Sequence, residues 1–276
     1  MTTLHPDLGT ACAKTAVRLA AQGLTAGYDQ RTVLSELNLR IPDGSFTVII
    51  GPNACGKSTL LRSLARLIRP SAGEVLLDGS AITSLPTKQL ARAVGLLPQS
   101  SVAPEGITVT DLVSRGRHPH QSLLKRWGRE DEAAVRQALE VTGTAELATR
   151  SVDELSGGQR QRTWIAMALA QQTPILLLDE PTTYLDIAHQ IEVLELCTQL
   201  QRQGRTLVAV LHDLNQALRY ATHLVAMRSG EIIAQGTPEQ IGTAELVQEV
   251  FGVAARVIDD PETGRPLVIP RAPAPD

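Results

Sequence analysis

Cysteine is scarce in this chain of 276 residues, with only Cys12, Cys55 and Cys197. Three scattered thiols exclude a disulfide framework and a zinc site, and they suit a reducing compartment. Long apolar runs are missing as well, and none approaches the roughly 20 residues that cross a bilayer. The start, Met1 to Val17, has neither a basic cluster nor an apolar stretch, so no secretory leader is expected. No sign of charge dominates. With 26 Lys+Arg against 29 Asp+Glu, the net charge of −3 offers no basic footprint for nucleic acid. At 43% hydrophobic and 20% charged residues the chain is not disordered. The expectation is a soluble, intracellular protein of one large domain or two small ones. Any role at a membrane then needs a partner chain.

What is present is an alternation of strand and helix patterns. Residues 1–16 lack periodicity and read as a flexible tail. A short strand pattern begins at Val17. Val33–Ile41 alternates apolar and polar residues, and Phe46–Ile50 is a β-rich run. Ser58–Arg69 reads as a helix with leucines along one side. Glu74–Asp78 and Val94–Leu97 read as further strands. From about residue 100 to 158 the texture changes to a helical insertion, with a helix over Glu130–Thr142. Then come a helix (Gly158–Gln172), a strand (Ile175–Leu178), a helix (Ile187–Gln203) and a strand (Thr206–Leu211). This order predicts an α/β fold with a mostly parallel sheet covered on both faces. The proline-rich end, from Arg265, is expected to fray, with residues 261–276 as a C-terminal tail.

The strongest chemical signal is Gly51-Pro52-Asn53-Ala54-Cys55-Gly56-Lys57-Ser58, followed by Thr59. It matches G-x-x-x-x-G-K-[ST] between a strand and a helix, the context of a phosphate-binding P-loop. Glycines let backbone N–H groups curl around phosphate oxygens, and the helix start adds its positive dipole end. Lys57 reaches the β/γ-phosphates, and the Ser58 hydroxyl ligates Mg²⁺. Cys55 reads as a spacer residue. The second signal is Ile175–Leu178 followed by Asp179 and Glu180. In a P-loop protein the Asp holds Mg²⁺. A second carboxylate beside it can polarise the attacking water.

Leu155-Ser156-Gly157-Gly158-Gln159 stands before the long helix, upstream of Asp179. Here the sequence resembles the nucleotide-binding subunits of ABC transporters, whose signature motif is LSGGQ. The resemblance covers nearly the whole chain, with 17–260 as the ATP-binding domain. It implies a RecA-like core, an antiparallel β-subdomain and an inserted helical subdomain. Tyr28 matches the aromatic that stacks on adenine, and Gln99 matches the Q-loop glutamine, which the resemblance makes a catalytic and a metal-site residue beside Ser58 and Asp179 and which couples the nucleotide site to the membrane subunits. Tyr184-Leu185-Asp186 matches the D-loop, and His212 the switch histidine. Alone, Tyr28 also fits a turn aromatic and His212 a structural histidine. The family implies MgATP as cofactor and a head-to-tail homodimer, with each ATP between one P-loop and the partner's signature. Two helix-start anion sites in one chain agree with that, since its own phosphates need only one.

Arg115–Gln121, Arg126-Trp127 and Glu180–Gln190 look like the ATPases of ferric-siderophore importers, of the ferric enterobactin and ferric citrate type. Vitamin B12 and haem importers belong to the same subgroup. By charge alone the Arg115–Arg126 cluster also fits a solvated face. The resemblance implies attachment to a permease on the cytoplasmic side of the inner membrane. A substrate-binding protein would then serve as indirect partner, with no contact between this chain and the cargo. A soluble relative acting on nucleic acid would carry a long coiled coil between Gln99 and Leu155, and sustained heptads are missing there.

Overall fold

A strand pair builds the first layer. The strand β1 (Val17–Tyr28) buries Leu19, Ala20 and Ala21 in succession, β2 (Arg31–Pro42) alternates over 37–41, and the two pair antiparallel, Leu24 opposite Leu37. The computed structural model describes residues 17–29, 31–99, 102–121 and 127–271. The expected tail at 1–16, Cys12 and Arg126 lie outside the described residues. The strand β3 (Phe46–Ile50) does not alternate, and all five of its residues are buried, as a strand covered on both faces requires. It runs into the P-loop and α1 (Lys57–Leu64). Next come β4 (Ala72–Leu77), β5 (Ser80–Ala81), α2 (Thr87–Ala93) and β6 (Val94–Leu97). β4 pairs with β1, giving an antiparallel sheet of order β2-β1-β4-β5.

The helical part holds α3 (Val109–Ser114), a 3₁₀ turn at Arg115–His120, α4 (Arg129–Val141) and α5 (Gly157–Ala170). α5 packs on both α3 and α4, so this layer runs past the expected boundary at 158. The second half returns to the sheet with β7 (Ile175–Asp179), α6 (Ile187–Arg202), β8 (Thr206–Val210), α7 (Leu214–Tyr220) and β9 (His223–Arg228). It continues with β10 (Glu231–Gly236), α8 (Pro238–Ile241), α9 (Ala244–Phe251), β11 (Ala255–Asp259) and β12 (Pro266–Pro270). The main sheet has the order β10-β9-β3-β8-β7-β6, parallel except for β10. Ile49 and Asp179 both lie beside Val210, so β3, β7 and β8 end at one edge. In open α/β sheets the carboxyl edge is where ligands bind.

The sheet separates two cores. Phe46, Val48 and Ile50 face Leu112, Trp164 and the helical layer, whereas Ile49 faces Leu60 and the β1–β2 layer. No helix among the described residues is long and apolar enough to cross a membrane.

Three expectations need correction. The leucine stripe predicts a helix to Arg69, but α1 stops at Leu64. Arg66 takes φ +60° and turns its guanidinium onto the carbonyls of Ile82 and Leu85, leaving Leu67 exposed. The expected tail from 261 contains β12, paired with β11 from Ala255↔Pro270 to Asp259↔Pro266. Asn215 of α7 clips it by exchanging two hydrogen bonds with Val268 (2.8 and 3.1 Å), and Arg265 donates to the Arg219 carbonyl at 3.0 Å. The basic cluster is not wholly a solvated face, because Arg117 is buried. Its Nε donates to Asp131 Oδ1 (2.9 Å) and its Nη1 to the Ala170 carbonyl and Gln172 Oε1 (both 2.8 Å). The ion pair ties the 3₁₀ turn to α4, and the bond to the Ala170 carbonyl ties it to the end of α5.

Candidate active site

The P-loop follows from what its backbone must do. Gly51 adopts φ +151°, and a Cβ there would sit 2.2 Å from the Met227 carbonyl oxygen. Gly56 adopts φ +106° as the residue before α1. Ala54 holds φ +59°, a left-handed conformation that an alanine takes at a cost of about 1–2 kcal/mol. Lys57 is buried, and its Nζ donates to the carbonyls of Gly51 (2.8 Å) and Pro52 (2.9 Å), closing the loop over the helix start. The Ser58 hydroxyl donates to Asp179 Oδ1 at 2.8 Å. Asp179 Oδ2 is sealed from solvent with no hydrogen-bond partner among the described residues. Desolvation pushes the Asp179 carboxyl above its ordinary range, against the Ser58 hydrogen bond and the Arg62 charge. A hydroxyl and an orphaned carboxylate oxygen are hard donors and fit Mg²⁺, which takes few protein ligands and keeps waters or phosphates for the rest.

Glu180 stands at φ +55°, a strained position of the kind found at functional sites. His212 Nε2 lies 2.7 Å from its Oε1. Its Oε2 accepts from Gln99 Nε2 (2.6 Å) and from the Thr183 hydroxyl (3.1 Å). Gln99 ends the segment after β6, and His212 follows β8, so the parallel register gathers all three at the sheet edge. Tyr28, Asn53, Ala54, Gly56, Lys57, Ser58, Thr59, Gln99, Glu180 and His212 line one open cleft of about 1070 Å³.

Ser156, Gly157, Gly158, Gln159 and Asp186 do not line that cleft. Ser156 caps α5, accepting from the Gln159 N–H (3.3 Å) while Gln159 Oε1 accepts from the Ser156 N–H (3.1 Å). Gly158 lets the His189 ring pack close, since a Cβ there would come within 2.4 Å of that ring unless the histidine shifted. Asp186 caps α6 by accepting from the His189 N–H at 2.9 Å. One chain therefore carries two separate helix starts suited to phosphate.

The sequence model of the family described as ABC transporter matches residues 34–183. The chain belongs to the ABC transporter family. It is 58% identical over 254 residues to the ferric enterobactin transport ATP-binding protein FepC of Escherichia coli (strain K12), covering 92% of this chain and 94% of that one. It is 56% identical over 253 residues to the "Probable siderophore transport system ATP-binding protein YusV" of Bacillus subtilis (strain 168), covering 91% and 92%. Its fold is similar to the dimeric, post-hydrolysis ATP-binding cassette MJ0796 bound to ADP and phosphate. The TM-score is 0.69 at 29% identity, covering 79% of this chain and 98% of that one.

Like its ABC relatives, then, this chain is an ATP-binding ATPase. Reading by motif overlooked Thr183 and Arg62. Thr183 had one signal, a hydroxyl in the turn after the Asp179-Glu180 pair. Cys55 is buried behind the P-loop, and burial pushes its thiol up, as it pushes Cys197 up to about 12. With Cys12 changed to serine, a thiol reagent at about pH 8 should label the native protein far more slowly than a free cysteine. Unfolding should release both thiols. Rapid labelling of Cys55 in the folded chain would contradict its role as a buried spacer.

Proposed function

We propose that this chain is the ATP-hydrolysing subunit of a ferric-siderophore importer, working as a homodimer on the cytoplasmic side of the inner membrane beneath a permease. The domain reading is an ATP-binding unit that starts at residue 17 and includes the β11–β12 hairpin, with a helical layer that meets the permease. A substrate-binding protein delivers the iron chelate, which this chain does not touch. The observation that carries the cargo is the identity to siderophore ATP-binding proteins across nine-tenths of the chain, 58% to one and 56% to another.

The chemistry follows from the cleft. The P-loop amides and Lys57 receive the triphosphate, and Tyr28 offers a face to the adenine. Mg²⁺ fits at Ser58 and Asp179, where it would neutralise charge on the β- and γ-phosphates. Glu180 orients or deprotonates the attacking water. His212 and Gln99 hold its two carboxylate oxygens at 2.7 and 2.6 Å, so the base is aligned before substrate arrives. The partner's Ser156–Gln159 segment completes the phosphate site, with Asp186 at the junction.

A strain lacking this gene, and any redundant ATPase, should fail to grow when a ferric siderophore is the only iron source. Ferrous iron should rescue it. A plasmid carrying the unchanged gene should restore uptake of radiolabelled ferric siderophore, and a Lys57→Ala copy should not. Normal uptake in the deletion strain would overturn the cargo and turn attention to cobalamin or haem.

A further inference from the structure

α1 places Ser58 and Arg62 four residues apart, on one face of the helix. That face meets both oxygens of the buried Asp179 carboxylate. Ser58 takes Oδ1, and the Arg62 Nη2 lies 3.7 Å from Oδ2, the oxygen without a hydrogen-bond donor among the described residues. The other fork of the same guanidinium, Nη1, donates to the Tyr28 hydroxyl at 3.2 Å. Tyr28 is the last residue of β1 and is 46% exposed at the mouth of the cleft. One planar side chain thus reaches both a residue that lines the cleft, Tyr28, and the buried carboxylate behind Ser58, Asp179.

We propose that Arg62 is a positioning residue that couples base recognition to the metal end of the cleft through Tyr28 and Asp179. This rests on reading Tyr28 as the adenine platform and Asp179 as the metal carboxylate. The physical grounds are threefold. A half-exposed tyrosine at a strand end loses side-chain entropy when it stacks, and a fixed hydroxyl means that part of this loss is already met. Guanidinium nitrogens diverge in a rigid plane, so an arginine can hold two partners in a defined relation and a lysine cannot. A desolvated carboxylate needs a nearby cation until its metal arrives. Arg62 supplies it without taking the Oδ2 lone pairs in a short hydrogen bond, so that oxygen stays open to a cation.

Two probes separate the ends of the cleft: ADP, which has a base, and pyrophosphate, which has none. Both are titrated by calorimetry with and without Mg²⁺, on variants whose melting temperatures match the unchanged chain. Tyr28→Phe removes the hydroxyl alone and should weaken ADP about fivefold while leaving pyrophosphate unaltered, as loss of one hydrogen bond implies. Arg62→Met should weaken ADP at least as much and should also shrink the Mg²⁺-dependent gain for pyrophosphate. Arg62→Lys should restore the Mg²⁺ gain but not the ADP affinity. In Tyr28→Phe/Arg62→Met the loss for ADP should be smaller than the product of the single losses, because both remove one contact. In steady-state assays Arg62→Lys should show a raised KM for ATP. Losses that simply multiply, or an unaltered Mg²⁺ response in Arg62→Met, overturn the coupling. Tyr28→Ala serves as control. If it binds ADP normally, the reading of Tyr28 as platform fails. If it weakens ADP while Tyr28→Phe and Arg62→Met do not, only the role of Arg62 fails.

Discussion

Glu180→Gln should bind ATP as the unchanged chain does and release phosphate about 10²–10⁴ times more slowly, the usual cost of removing a general base. The reason lies in the separation of two adjacent carboxylates. Asp179 is buried and tied to Ser58 beneath the P-loop, whereas Glu180 faces the cleft and is held by Gln99, Thr183 and His212. The amide is nearly isosteric, so the phosphate cradle and the Ser58–Asp179 contact should survive. What disappears is the basic oxygen beside the water. With hydrolysis blocked, the nucleotide sandwiched between two chains should persist, and the variant should elute as an ATP-dependent dimer on size exclusion. Lys57→Ala should remain monomeric under the same conditions, since its loop loses the charge that grips the β/γ-phosphates. Near-wild-type turnover by Glu180→Gln would remove the assignment and make His212 the first alternative base.

Two inactive chains should make one active site when mixed. Lys57→Ala spoils the P-loop, and Ser156→Arg spoils the cap of α5. Each alone should show no measurable ATPase activity, because every composite site then has one bad half. A heterodimer keeps one site with both halves intact, so the mixture should recover activity. The geometry behind this is the exclusion of Ser156–Gln159 from the cleft of their own chain. Tyr184 and Ile187, 95% and 74% exposed, flank the same region, an apolar edge that a second chain would cover. Equal inactivity of mixed and separate samples, with heterodimers demonstrated by two different tags, would place the signature in cis.

How far the sequence revealed this depends on whether a feature is local. The P-loop and the Asp179-Glu180 strand end are written in consecutive residues, because one turn and one strand terminus suffice to build them. The parallel core was equally legible from unbroken apolar runs such as Ile175–Leu178. Contacts between distant segments were not. Arg117 sits in a run of Arg and His that suggests solvent, and only the fold brings Asp131 and the Ala170 carbonyl to it. The hairpin β11–β12 was hidden by its prolines. Pro266 and Pro270 stand at the two ends of β12, where a missing N–H is tolerated, and not in its middle. Arg62 looked like one more charge on an amphipathic helix, and its partners come from β1 and β7.

The order of strands has a consequence for synthesis. Both neighbours of β3 come from the second half of the chain: Phe46 lies beside Leu207, and Thr47 beside His223. While the ribosome is still adding the helical layer, Phe46–Ile50 has left the exit tunnel without either partner. Four apolar residues in a five-residue strand with open edges are the kind of segment that invites wrong pairing and chaperone capture. The P-loop that springs from β3 therefore gains its rigid base only when β8 and β9 emerge. A message truncated before β8 yields a product with its most conspicuous motif intact and neither of the strands that flank β3.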